Sequence, residues 1–179
     1  MPTIDLTSQL LSWLLTYGSP LVAVVLMGTA MGAPVPSTLL VIAVGALVRQ
    51  GTLDLFPIFL YALAGVLAGD LLSYAIGRFA GGRLLGRYGS SERWIEVQQK
   101  LDRSGGLAIY LTRWLLTPLA VPTNLLAGTV GYPLRKFVAF DLAGEVTWLL
   151  MLGGLGYAFS ASSAIIAELV GAYGAPVAG

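Results

Sequence analysis

The sequence predicts an all-α integral membrane protein. Two re-entrant helical hairpins, each followed by a transmembrane helix, form an inverted repeat, with amphipathic helices on the membrane surface. Three observations carry that expectation. Of the 179 residues, 56% are hydrophobic and only 11% charged, against about 25% charged in soluble domains. The apolar stretch from Leu107 to Gly131, LAIYLTRWLLTPLAVPTNLLAGTVG, holds Pro118 and Pro122 near its middle and Arg113 in its first half. That stretch also has a twin, since PSTLLVIAVG from Pro36 to Gly45 matches PTNLLAGTVG from Pro122 to Gly131 at Pro, Leu, Leu, Val and Gly.

Proline removes a backbone donor and clashes with the preceding helical turn. Non-helical backbone survives at membrane depth only where protein or a water-filled cavity surrounds it. Two half-helices meeting at a broken tip therefore fit Leu107 to Gly131 better than one uninterrupted span. Paired, proline-interrupted apolar segments in two halves of a chain point to a membrane transport site.

In chain order, Leu10 to Tyr17 is too short to cross a core that needs about 20 helical residues, and Gly18, Ser19 and Pro20 break it. It reads as an interfacial helix with Trp13 and Tyr17 at headgroup level. The preceding residues have no basic region, so a cleaved signal peptide is not expected. Leu21 to Met31 and Thr38 to Val48 flank GAPVPS, with Pro34 and Pro36 at the tip. Each arm reaches about 16 Å, roughly half of the ~30 Å core, and together they form the first predicted hairpin.

Leu55 to Gly77 is long enough to span once. From Arg78 to Arg103 the composition turns basic, with Trp94, Val97 and Leu101 on one helical face, as in a segment lying on a membrane surface. The second hairpin, with Pro118 and Pro122 at its tip, leads through Arg135 and Lys136 into a second span, Phe137 to Phe159. Ser160 to Ser163 reads as a turn before an Ala/Gly-rich tail. The whole of 1–179 is read as one membrane domain: repeat one over about 20–77, the basic segment 78–105, repeat two over about 106–160, and the tail 161–179.

Cytoplasmic loops hold Lys and Arg, and this decides the topology. A hairpin at Leu107 to Gly131 returns the chain to its starting side, so Arg135 and Lys136 share the cytoplasmic face with the basic segment. A single crossing between two equivalent hairpins makes the second enter from the opposite leaflet. Their tips then meet near the midplane.

The chain has no cysteine and no histidine, which excludes disulfides, thiolate or imidazole metal sites and histidine-based catalysis. Asp70, Arg113, Asp141 and Glu145 lie inside apolar segments, where a charge is costly unless it meets a partner or a cavity. Counting from the basic flanks puts Asp70, Arg113 and Glu145 about 10 to 14 Å deep, with Arg113 between the two acids and Asp141 shallower. A buried ion pair that only fixes packing is one reading of this cluster. The other gives Arg113, a fork of donors suited to phosphate, an anionic headgroup, with Asp70, Glu145 or Asp141 exchanging a proton. Thr38, Thr117, Thr123 and Asn124, near the tips, are expected to bond freed backbone or substrate. No metal or cofactor is expected, and nucleic-acid binding is not, because the basic segment is interleaved with acids.

With GAPVPS, then GDLLSYAIGR from Gly69 to Arg78, then a TRW…P…LLAG hairpin and GEVTW from Gly144 to Trp148, the chain resembles the DedA family, the bacterial branch of the VTT-domain membrane proteins. The likeness covers about Leu10 to Phe159. It implies a bacterial inner-membrane protein with opposed re-entrant hairpins that moves lipids across the bilayer: undecaprenyl-phosphate recycling or proton-dependent transport in bacteria, phospholipid scrambling in eukaryotic relatives. Arg113 and Asp70 match positions of the family pattern. Thr38 stands where many members have glutamate and Ala120 where they commonly have a second arginine, departures that weigh toward a passive scramblase or a different lipid. The expected partners are membrane lipids and protons. The leading expectation is lipid translocation, ahead of a proton-coupled small-solute transporter and a non-transporting membrane organiser. An intramembrane enzyme is least expected, because no nucleophile–base pair is evident.

Overall fold

Proline and glycine punctuate the chain into helices. The structure is a computed structural model and describes residues 18–88 and 104–173. In order these are α1 (Ser19–Ala30), α2 (Ser37–Arg49), α3 (Leu55–Tyr88), α4 (104–114), a 3₁₀ turn (Thr117–Leu119), α5 (Ala120–Val130) and α6 (Leu134–Tyr173). There is no strand among the described residues. The predicted interfacial helix at 10–17, the later part of the basic segment at 89–103, and 174–179 lie outside them.

Both predicted breaks occur, by different local means. At the first, Val35 N–H donates to Ala33 O and Ser37 N–H to Val35 O, each at 2.8 Å. Pro36 has φ −73° and ψ 73°, the conformation of the central residue of an inverse γ-turn, where a fixed φ suits the ring and no N–H is required. At the second, Pro118 is the central residue of the 3₁₀ turn and Pro122 lies in the first turn of α5, where the missing donor has no intrahelical acceptor to lose. Gly131, at φ 78°, ends α5 in the left-handed region, and Tyr132 N–H closes back on Ala127 O at 2.9 Å.

Two helices run longer than expected. α3 continues without a break past Gly77 to Tyr88, and α6 passes through 160–163, where a turn was expected, to Tyr173. Arginine is a good helix former and serine only mildly unfavourable, so a change of polarity ends the apolar stretch without ending the helix. Leu55–Gly81 and Leu134–Ser160 are both long and apolar enough to cross a membrane, in agreement with the predicted spans. Large apolar side chains such as Phe56, Phe79 and Phe159 are exposed along them.

The short helices pack on the two long ones in a repeated pattern. α1 and α5 lie on α3, and α2 lies on α6. α4 also meets α6, where a Cβ on Gly106 would strike the Phe140 ring. Contacts advance in the same order on both partners: Ala23 and Met27 meet Gly65 and Gly69, while Gly45, Arg49 and Gln50 meet Gly153, Tyr157 and Ser160. A Cβ on Gly65 would collide with Ala23 O and one on Gly77 with Leu125 O; 79 positions later, Gly144 and Gly156 face Tyr110 O and Ile42 O in the same way. Small residues that let backbones touch are how helices associate without a water-driven hydrophobic effect.

The register of this repeated packing differs from the sequence match. Ile42 and Gly45 of α2 take the places that Leu125 and Gly128 take on α5, an offset of 83 residues. Aligning Pro36 on Pro122 gives 86, nearly one helical turn away. The prolines do different jobs in the two tips, so they do not mark equivalent positions.

Candidate functional site

Four helices deliver the charged groups to one place. Asp70 comes from α3, Arg113 from the end of α4, Asn124 from α5, and Asp141 and Glu145, one turn apart, from α6. None is more than 4% exposed. Gly144 makes the approach possible, because a Cβ there would collide with Cβ and Cγ of Arg113. The arginine stem therefore lies directly against α6 between its two acids. The buried Phe137 ring, centred 5.9 Å from Arg113 Cζ, closes another side.

The guanidinium is the hub. Its Nε donates to Asp141 Oδ1 at 2.5 Å and lies 3.5 Å from Glu145 Oε1. Nη2 donates to Asn124 Oδ1 at 2.6 Å, and Asn124 Nδ2 donates to Asp70 Oδ1 at 2.6 Å. The amide thus relays between cation and anion, its oxygen toward one and its nitrogen toward the other. Asp70 Oδ1 is also 3.8 Å from Nη1. Nη1, Asp70 Oδ2 and Asp141 Oδ2 are buried without a hydrogen-bond partner.

Beside the hub is a cavity of about 90 Å³ between the two tips. Thr29, Ala30 and Ser37 line it from the first tip and Thr117, Ala120 and Val121 from the second, with Asp70, Arg113 and Glu145 on its polar side. Apolar clusters flank the charges. One joins α1, α2, α3 and α6 around Leu26, Val41, Val66 and Trp148. The other gathers Tyr74, Ile109, Ala127 and Phe137.

Asp70, Arg113, Glu145 and Asn124, singled out in the sequence, do come together. The pairing needs correction: Arg113 was expected between Asp70 and Glu145, but Asp141, 0% exposed, makes the shortest contact to the arginine. Thr38 is exposed and Thr123 half-buried, and neither lines the cavity, nor does any of Pro34, Pro36, Pro118 and Pro122. The hydroxyls that do are Thr29, Ser37 and Thr117; of these, Thr29 and Ser37 were missed, although Ser37 sits opposite Thr123 in the sequence match. Oxygens of Asp70, Asp141 and Glu145 lie within 4.8 Å of one another, a spacing that could hold a cation. Arg113 Nε already places a positive charge against two of these three acids.

The VTT domain family matches residues 35–158, which takes in the second tip, the end of the first and every residue of the hub. The chain belongs to this family. Among VTT-domain relatives it is 31% identical to inner membrane protein YghB of Escherichia coli over 70% of this chain and 58% of that protein. An uncharacterized membrane protein of Synechocystis, slr0232, is 28% identical over 70% of this chain and 60% of its own length. Undecaprenyl phosphate transporter A of Bacillus subtilis is 22% identical over 97% of this chain and 87% of that protein. The chain spans about 60% of the first two relatives. No solved structure matches it. The DedA resemblance read from the motifs therefore holds, and this VTT-domain chain is an integral protein of the inner membrane.

Proposed function

We infer that the chain translocates a lipid with an anionic, phosphate-bearing headgroup across the bilayer, through the cavity between its two broken tips. The observation that carries this reading is Arg113 Nη1: a buried guanidinium donor, without a hydrogen-bond partner, beside a cavity lined from both tips. Guanidinium recognises phosphate oxygens through parallel N–H donors. The lipid chains stay in the membrane while the headgroup passes. A cavity of about 90 Å³ admits a few waters and not a whole headgroup, so passage needs the tips to separate.

The frame for this motion is a pair of re-entrant hairpins, α1–α2 and α4–α5, entering from opposite leaflets. Each long helix carries the first arm of its own hairpin and the second arm of the other, which is the packing an inverted duplication produces. Parting one tip from its long helix opens the cavity to one leaflet, and its counterpart opens it to the other.

Fully ionised, the acids Asp70, Asp141 and Glu145 around Arg113 would leave two surplus negative charges. Uncompensated charge is costly out of water, and the surplus gives the site a place to hold a proton during the cycle. The relative named as an undecaprenyl phosphate transporter is consistent with a phosphate-bearing cargo.

Reconstitution tests the reading. Purified chain in liposomes is expected to move a fluorescent phospholipid or a labelled polyprenyl phosphate between leaflets, and imposing a pH gradient shows whether protons are coupled. Flux no greater than in protein-free liposomes, for both lipids with and without the gradient, would reject it.

A further inference from the structure

A second cavity, of about 290 Å³, lies between α2, the start of α3 and the later part of α6. No residue lines both this groove and the one at Arg113. Its walls are apolar, with Val44, Ile58, Phe59 and Leu149 among them. Tyr157, at one end, is the exception, its hydroxyl accepting a 3.0 Å hydrogen bond from Arg49 Nη1. The Arg49 guanidinium also sits 4.9 Å from the Tyr157 ring centre.

We propose that this groove holds one acyl chain of an anionic phospholipid whose phosphate rests on Arg49. Dimensions and charge both point to that occupant. From Leu149 to Tyr157 the groove follows about 12 Å of helix, close to the ~15 Å depth of one leaflet of hydrocarbon. Tyr157 stands about 33 Å along α6 from Arg135, at headgroup level on the face opposite the basic flank. Arg49, exposed at the end of α2, has no acidic partner among the described residues, where every ion pair belongs to Arg113. Tyr157 holds the guanidinium over the groove's polar end and leaves its other donors for phosphate oxygens, the geometry that Arg–phosphate pairs use. The lipid would seat α2 on α6 along the seam where Gly45 and Gly156 already bring the backbones into contact.

Two substitutions separate chain from headgroup. Gly154 lines the groove, and a Cβ there would meet nothing within 4 Å, so Gly154→Leu puts an apolar side chain into the groove from an uncrowded position. Arg49→Gln removes the charge and leaves the groove open. The full-length protein is released from nanodiscs of mixed phosphatidylglycerol and phosphatidylethanolamine, and the retained lipid is read by native mass spectrometry. The unaltered chain is expected to keep phosphatidylglycerol in preference. Arg49→Gln should lower that preference about tenfold, the effect of losing a charged hydrogen bond. Gly154→Leu should lose lipid of both kinds while remaining folded. If Arg49 only caps its helix, the anionic preference survives Arg49→Gln and the proposal falls. It also falls if Gly154→Leu retains as much lipid as the unaltered chain, or if a dimer that Gly154→Leu dissolves is what fills the groove.

Discussion

Arg113 Nε donates to Asp141 Oδ1 at 2.5 Å, while Glu145 Oε1, one turn further along the same helix, stands 3.5 Å from that nitrogen. Asp141 does not line the cavity between the tips, whereas Glu145 does. Under the proposed function the two acids on one face of α6 have separate tasks: Asp141 anchors the arginine and Glu145 meets the entering headgroup. Asp141→Asn should destabilise the protein by about 2 kcal/mol or more, the cost of weakening a buried charge-assisted bond. Its unfolding midpoint in detergent is the measure, and Glu145→Gln, which weakens only the longer contact, should lower that midpoint less.

Glu145→Gln should act on transport instead. It removes the carboxylate on α6 that faces the cavity but keeps its size and one acceptor oxygen. If Glu145 carries the coupled proton, flux in liposomes bearing a pH gradient should fall to the level seen without one, while the no-gradient flux changes little. A variant that still responds fully to the gradient would move the proton to Asp70.

Replacing the hub itself should leave little activity. Arg113 uses Nε and Nη2 on two different partners and has Nη1 to spare. A lysine has three donors on one nitrogen and cannot hold a carboxylate and an amide apart while presenting a further N–H to phosphate. Arg113→Lys should therefore accumulate as folded protein yet lose at least about tenfold in lipid flux, a loss of one charged hydrogen bond at the substrate. Full flux in the lysine variant would remove the fork from the mechanism.

Much of this site was legible because depth can be counted along helices. The prolines located both tips, and distance from the basic flanks put Asp70, Arg113 and Glu145 at one level. Counting along the axis missed Asp141 as the nearest partner of Arg113 because it ignores side-chain direction. Side chains on a helix lean toward its N-terminus, so the long Arg113 side chain reaches back down α4 toward the shallower acid. The Asn124 relay was invisible, since it depends on how α5 turns against α3. The register of the repeated packing was hidden because identical prolines serve a γ-turn in one tip and a helix start in the other.

The close approaches of α6 should give opposite results at two neighbouring glycines. A Cβ on Gly156 would run into Ile42 O, whereas one on Gly154 meets open space. Gly156→Ala should therefore destabilise by about 1–3 kcal/mol through overpacking. Gly154→Ala should be neutral or stabilise by up to about 1 kcal/mol, the intrinsic preference of alanine over glycine in a helix. Gly77, which meets Leu125 O as Gly156 meets Ile42 O, should behave like Gly156. Unfolding midpoints of the three alanine variants check the pattern, and equal effects at Gly154 and Gly156 would contradict the packing.

Topology can be tested without first removing any thiol, because the chain has no cysteine. Ser104 and Lys136, at the two ends of the second hairpin, are both exposed, as is Gln50 at the end of the first. If both hairpins turn back inside the membrane, cysteines at 104 and 136 should react with an impermeant maleimide from the cytoplasmic face, and one at 50 only from the opposite face. The first pair tests whether α4 and α5 return to their starting side. The third residue tests inversion, because α3 is then the single crossing between the hairpins. Labelling of 104 and 136 from different faces would mean that the proline-broken segment crosses, and the cavity could no longer be a meeting point of two tips.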